Sequence, residues 1–421
     1  MSKSEGNVLD PDQIIFGGKD KKREPPMGVD LLRLWVASSD YSKDVTIGPD
    51  ILAKQLEVSR KIRNTARFML GNLYDFQEPL PYEKLNSVSN NNKQKQKFRS
   101  ATGGICAGAI SETKKLKKKK KIETKFDKYF LSKLYRFCHQ VTSYYETYAF
   151  NKVHQAVMNL CVVDLSSLYL DVVKDRLYSE KSDGRERRSA QTVIRHALDV
   201  LVKASAPIIC HTSEDIFQHY PVDGKSDRRH PSVFCDGWFR VDEVWNAQAT
   251  DKDHDQDWEL LLGLRNEVNR LLEKARKEKL IGKSIEASVE ILVQDSPDVL
   301  RALLRRLPSS EESAAELFVV SSVRISDGSS PSSNREPESS SLPGSKPFVF
   351  ESVVDRAQLS SSPLPVVDDD GEKQQHRRIE GGGGNIRLKV TRSGLHKCPR
   401  CWKRTSAAEN SLCARCSQVL I

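Results

Sequence analysis

No run of eighteen apolar residues occurs anywhere in this 421-residue chain, so no segment reads as a membrane-spanning helix. The opening stretch, MSKSEGNVLD, has no apolar core and does not read as a signal peptide. Glycine-rich phosphate loops of the dinucleotide or Walker type are missing, so no nucleotide cradle of those kinds is expected. A disulfide framework is excluded too. Five cysteines (Cys106, Cys138, Cys161, Cys210, Cys235) are scattered and four crowd the end, a pattern of reduced thiols plus one metal site.

What is present is charge, mostly positive. The net charge is +10, which suits a polyanionic partner, nucleic acid before membrane, unless low-complexity lysine runs alone inflate it. Amphipathic helices dominate the pattern. PPMGVDLLRLWVASSDYS places Val29, Leu32 and Trp35/Val36 at the spacing of one helical face. In the next segment Val58, Ile62, Ala66, Met69 and Leu73 line one side of a longer helix, while Arg60, Arg63 and Arg67 line another. Those arginines read either as a solvated face or as a stripe that tracks phosphates. Residues 86–125, with NNNKQKQK and KKLKKKKK, bury too little to order and read as a disordered insertion.

Order resumes over 126–250. Three or four helices are legible there, joined by short connections that imply a bundle. Pro207 ends the third, and Thr212 or Ser213 is the expected N-cap of the fourth, with Glu214 and Asp215 in its first turn. Over 251–325 a helix with Trp258, Leu261, Val268, Leu272 and Ala275 on one side precedes two strand-like runs, IEASVEILV and LFVVSSVRI. PDVLRALLRRL between them reads as a short helix, making a small α+β unit. Residues 326–347 are a Ser/Pro-rich disordered insertion, and 348–390 continue the unit through a glycine joint.

Residues 391–421 carry the strongest motif, Cys398-x2-Cys401-x11-Cys413-x2-Cys416. Two tight-turn thiolate pairs complete the tetrahedral shell of structural Zn2+, with no open position for catalysis; a redox dithiol is the alternative. His396 is surplus to four cysteines. Trp402 stands among Arg400, Lys403 and Arg404, an aromatic plane suited to stacking beside phosphate contacts or to packing on a neighbouring domain.

With these pieces together, MSKSEGNV resembles the KMSKS loop of class I aminoacyl-tRNA synthetases without its first lysine. DLLRLWVASSDYSKDVTIG, KIRNTARFMLGNL, DLSSLYLDVVKDRLY, RRSAQTVIRHALDVL, APIICHTSEDIF and the terminal CPRCW resemble the isoleucyl enzymes of bacterial and organellar type. The resemblance implies a mainly α chain. It consists of the end of the KMSKS loop and a stem-contact region (1–50), a helical-bundle anticodon-binding domain (51–85 and 126–250), a small α+β junction and a C-terminal zinc knuckle. It further implies ATP-dependent ligation of isoleucine to its tRNA, with Lys3, flanked by Ser2 and Ser4, engaging the ATP phosphates. There a mobile cation that acts mainly in the transition state speeds adenylate formation.

The family's Rossmann domain, its HIGH motif and its editing domain are not in this sequence. ATP with Mg2+ and isoleucine are therefore expected to bind only in a longer enzyme. On this reading the 421 residues alone bind isoleucine tRNA without activating isoleucine. The favoured view is a piece of a full enzyme; a free-standing RNA-binding module derived from a synthetase is the alternative. Arg60, Arg63, Arg67, Lys152 and Trp402 are the candidate tRNA contacts, chosen for charge or stacking. A monomer with no membrane contact, in a mitochondrion or plastid with the cytoplasm as alternative, completes the expectation.

Overall fold

The computed structural model describes residues 10–22, 24–76, 124–221, 230–239, 252–293, 307, 311–326, 348–355, 359 and 385–420. Ser2, Lys3 and Ser4, nearly all of the 86–125 insertion, the PDVLRALLRRL segment except Leu307, the Ser/Pro-rich insertion apart from Ser326 and most of the glycine joint lie outside the described residues.

Helices form where the apolar spacing asks for them. The first is α1 (Pro11–Phe16), whose N-cap Asp10 accepts from the Asp12 amide at 3.0 Å. Next come α2 (Val29–Ser38) and α3 (Pro49–Gly71), the latter opened by a proline whose missing N–H costs nothing in the first turn. Helix α4 (Lys125–Glu146) is capped by the Thr124 hydroxyl, which accepts from the Asp127 amide at 3.1 Å. A continuous helical run, Phe150–Ser179, follows. It comprises α5 (Phe150–Asn159), a π-helical segment Leu160–Tyr169 and α6 (Leu170–Ser179). In the π segment Ser166 and Ser167 donate to carbonyls five residues back, Cys161 and Val162, each at 2.7 Å. Helices α7 (Arg185–Ser205) and α8 (Cys210–Gln218) close the bundle. Helix α7 is its axis: it packs on α3, α4, α5, α6 and α8, and Ala190, Val193, Ile194, Ala197, Leu198 and Leu201 are wholly enclosed.

By length and hydropathy Phe150–Ser179 is apolar enough to cross a bilayer, a property hidden from a search for unbroken apolar runs. Half of its apolar window is buried inside the fold. Several of its charged side chains are paired with other elements: Asp164 with Lys133, Asp171 with Arg265 and Arg176 with Asp127. It is thus the core helix of the bundle. The Arg176–Asp127 pair is enclosed, with Tyr169 donating to Asp127 at 2.8 Å and Ser189 at 2.5 Å. Arg176 also reaches Glu316 in the following unit, so one guanidinium ties the two together.

That unit begins with α9 (Lys252–Lys277). Its anticipated face is the buried one: Trp258, Leu261, Val268, Leu272 and Ala275 are all enclosed. Strand β1 (Ala287–Val293) buries every second residue. After α10 (Glu311–Phe318), strand β2 (Ser322–Ser326) pairs parallel with β1, Val289 opposite Val323. Strands β3 (Val349–Asp355) and β4 (Asn385–Arg392) are antiparallel, and β4 lies antiparallel to β1, giving the order β2-β1-β4-β3. Helix α9 packs on β3 and β4, and beyond β3 Leu359 comes so close to it that a Cβ on Gly263 would sit 2.5 Å from the Leu359 carbonyl oxygen.

Three local expectations are corrected. Helix α2 buries Leu31, Leu34 and Ala37, whereas Val29 and Val36 face outward. Apolar residues surround most of that helix, and α3 and α5 select which stripe is covered. Leu317 and Phe318, read as strand, end α10; Val319 then turns the chain at φ 55° before β2 begins. Helix α8 starts at Cys210, so Thr212 and Ser213 are buried within its first turn and Glu214 and Asp215 fall in the second. Its free amides are met from α2: Asp30 accepts from Thr212 N at 2.6 Å and His211 N at 3.3 Å. Against burial, which alone would raise it, these bonds hold the Asp30 carboxyl below its ordinary range.

Candidate metal centre and nucleic-acid face

The terminal cysteines come together as their spacing requires. A short hairpin, β5 (His396–Lys397) with β6 (Arg404–Ser406), presents Cys398 and Cys401 on its turn. The turn is tight: Cys398 N donates to Lys403 O at 2.9 Å, Trp402 N donates to Cys398 O at 3.0 Å, and Trp402 adopts φ 65°. Cys413 and Cys416 come from the start of α11 (Ala414–Leu420). All four sulfurs lie within 4.8 Å of one another, and Cys401 Sγ and Cys413 Sγ are 3.8 Å apart. Zinc–thiolate bonds of ~2.3 Å in a tetrahedron demand sulfur–sulfur edges of about 3.8 Å, so the thiols present fit such an ion. Burial would push the Cys398 thiol up; the amides of Cys413, Cys401 and Arg400 overcome this and bring it down to about 6. A ligand thiol must be deprotonated; Cys398 is shifted that way, while burial pushes the Cys401 and Cys416 thiols up.

The knuckle is held by cations. Arg415 donates to both oxygens of Asp175 on α6, at 2.6 and 2.8 Å, and Lys403 reaches the same carboxylate at 2.9 Å. Arg400 donates to the Ser179 carbonyl at 2.6 Å, and Arg404 N to Ser321 Oγ at 2.8 Å. Burial alone would raise the Asp175 carboxyl; the two cations hold it far below the usual carboxylate range. Arg400 and Lys403 are therefore anchors rather than free phosphate contacts. Trp402 projects outward, half exposed, with Lys283 Nζ 4.4 Å and Lys397 Nζ 5.3 Å from its ring centroid. These two lysines were missed in the sequence, since Lys283 precedes Trp402 by a whole sheet. The flanking lysine at 397 was the legible half of the signal.

The other candidate contacts lie elsewhere. Arg60, Arg63 and Arg67 are exposed along α3. Arg60 pairs with Glu57 at 2.7 Å and Arg63 with Asp215 of α8 at 3.1 Å. Arg67 has no ion pair among the described residues. Lys152 is exposed at the start of α5, its Nζ 5.5 Å from the Tyr144 ring centroid. Among the described residues, no hydrogen bond or ion pair joins the arginine row, Lys152 and Trp402; they form three separate stations.

A helical bundle bearing exposed cations, followed by a tethered four-thiol knuckle, agrees with what the chain is similar to. Residues 127–291 match the family model described as the anticodon-binding domain of tRNA ligase, and residues 1–48 match that of class I tRNA synthetases (I, L, M and V). The chain belongs to the class I tRNA ligases. It is 35% identical to the isoleucine–tRNA ligase of Synechococcus sp., across all of this chain and 36% of that protein. It is 41% identical to that of Thermosynechococcus vestitus (77% of this chain, 30% of the relative) and 34% to that of Microcystis aeruginosa (100% and 36%). By sequence it stands with the isoleucine–tRNA ligases of that class, and it spans about a third of the length of these curated relatives.

Proposed function

We propose that this chain supplies the tRNA-gripping portion of an isoleucine–tRNA ligase. The observation that carries the reading is the anticodon-binding match over 127–291, which coincides with the α4–α8 bundle, α9 and the start of the sheet. The bundle offers Arg60, Arg63, Arg67 and Lys152 to phosphates, and the knuckle offers Trp402 to an unstacked base. In the whole enzyme Lys3, between Ser2 and Ser4, engages the phosphates of ATP while isoleucine is activated. That chemistry draws on residues beyond the third of the enzyme represented here. Cys398, Cys401, Cys413 and Cys416 hold one structural Zn2+, which when bound supplies folding free energy to the knuckle and no reacting position. The protein acts as a monomer. An organellar location, mitochondrion or plastid, with the cytoplasm as the alternative, belongs to the same proposal.

Two measurements on the 421-residue chain test this. Isoleucine tRNA is expected to bind more tightly than a non-cognate tRNA, with an affinity that falls steeply with salt. If about 4–6 phosphates are neutralised, the log–log slope lies between roughly −3 and −5. Isoleucine-dependent ATP–pyrophosphate exchange is expected to be absent. Equal, salt-insensitive binding of both tRNAs would refute the first half, and measurable exchange the second.

A further inference from the structure

Where α2 meets the first turn of α8, three side chains of different chemistry converge from positions 180 residues apart in sequence. Asp30 Oδ1 lies 3.2 Å from His211 Nδ1 and 3.8 Å from Cys210 Sγ; Cys210 Sγ lies 3.5 Å from His211 Nδ1. We propose that Asp30, Cys210 and His211 form a second metal site, distinct from the four-cysteine knuckle, that takes a borderline divalent ion such as Zn2+ with one position open to water.

The triangle has the right size. Zinc bonds of ~2.0–2.2 Å to oxygen or nitrogen and ~2.3 Å to sulfur give tetrahedral edges of about 3.3–3.6 Å. The three measured edges depart from that by a few tenths of an ångström. One carboxylate, one imidazole and one thiolate all belong to the zinc ligand repertoire, and the sulfur disfavours Ca2+ and Mg2+, which prefer oxygen cages. The carboxylate is already oriented: Oδ2 accepts from Thr212 N at 2.6 Å, while Oδ1 faces the thiol and imidazole. Cys210 and His211 are adjacent on one helical turn. Access is open, because His211 is exposed and Cys210 partly so. A carboxylate and a thiolate offset the ion's two charges.

The nearest cation on the same helix, Arg33, is spent elsewhere. Its guanidinium donates to the carbonyls of Pro207 and Ile208, both at 2.7 Å, below the base of α8. That leaves Asp30 to the cluster and pins the turn carrying the two α8 ligands. A bound ion would add a staple between α2 and α8, which already pack on each other and on α3. The site does not depend on the proposed function, and it uses none of the residues assigned there.

Zinc titration of the full chain against a colorimetric chelator tests the assignment. The wild-type protein is expected to hold one more chelator-resistant Zn2+ per chain than Cys210→Ser or His211→Ala, whatever the knuckle contributes. Both substitutions fall on accessible positions, and helicity by circular dichroism confirms the folded state. Loading with Co2+ is expected to give a thiolate-to-metal absorption whose intensity drops in Cys210→Ser. Equal zinc stoichiometry in all three proteins overturns the proposal and leaves the cluster as a helix cap only. So does a Co2+ spectrum unchanged by Cys210→Ser.

Discussion

Replacing Asp175 with asparagine isolates what holds the knuckle to the bundle. The substitution preserves shape and removes the one charge that Arg415 and Lys403 share, at 2.6 and 2.9 Å. The Asp175 side chain is 16% exposed, that of Lys403 11% and that of Arg415 23%, so the cations are left largely desolvated. Removing one partner of a buried pair costs about 3–5 kcal/mol; these partly wet ends put the expectation near ~3. That corresponds to roughly a 150-fold shift in the docking equilibrium. Hydrogen exchange at Cys398 N and Trp402 N, which close the hairpin turn, reads the effect locally. Exchange is expected to accelerate by up to two orders of magnitude while metal stoichiometry stays constant, because all four thiols belong to the knuckle itself. Unchanged protection together with an unchanged Tm would refute the reasoning. The pH dependence has a defined sign. A carboxyl whose folded pKa is depressed contributes stability that is complete above its unfolded value, about 3.9, and is lost as pH falls through the folded value. Wild type should therefore lose knuckle protection on acidification below about pH 4, and Asp175→Asn should show no such step.

Cys398→Ser with Cys413→Ser is expected to remove one Zn2+ per chain and weaken tRNA binding; metal analysis that still finds that ion would refute the four-thiol assignment. Arg67→Ala, which breaks no ion pair among the described residues, should reduce the salt slope of tRNA binding by about one while leaving stability within ~0.5 kcal/mol. An unaltered slope in a filter-binding titration would make the residue plain solvated surface. Gly263→Ala should lower stability by about 1–3 kcal/mol in urea titration, since the added carbon meets the Leu359 carbonyl at 2.5 Å. A neutral result would mean that Leu359 moves aside freely.

Periodicity was sufficient wherever a helix had one clearly apolar side. The stripe from Trp258 to Ala275 needed no knowledge of its partner, and neither did Ile62, Ala66 and Met69 on α3. It failed on α2, where apolar residues on several sides leave the choice to neighbouring helices. The start of α8 was illegible for a related reason: its cap is Asp30, about 180 residues upstream, and local capping rules see only adjacent side chains. LFVV is an apolar run short enough for either state, and its first half, Leu317 and Phe318, went to helix in α10, which packs on β2. The metal centre was the most legible part of the site, since its spacing alone places four thiols around one ion. Charges were the least legible. The sequence shows that Arg400 and Lys403 flank Trp402, but not that both turn inward to α6 while Lys283 arrives from another segment.

The unbroken run from Phe150 to Ser179 also acts as a caliper. Lys152 stands at its first turn, and its last residue receives Arg400, two positions from Trp402. Twenty-seven helical steps at ~1.5 Å each separate those ends by roughly 40 Å. A base triplet is far too short to meet both jaws, so an RNA that touches them must present two distant parts of one folded body. The gauge is not uniform along its length. Its middle is the π segment, where each turn holds an extra residue and the hydroxyls of Ser166 and Ser167 bond to the widened carbonyls. Tightening that stretch to ordinary α pitch would rotate one end of the run against the other, and so turn Lys152 relative to the segment that carries Trp402.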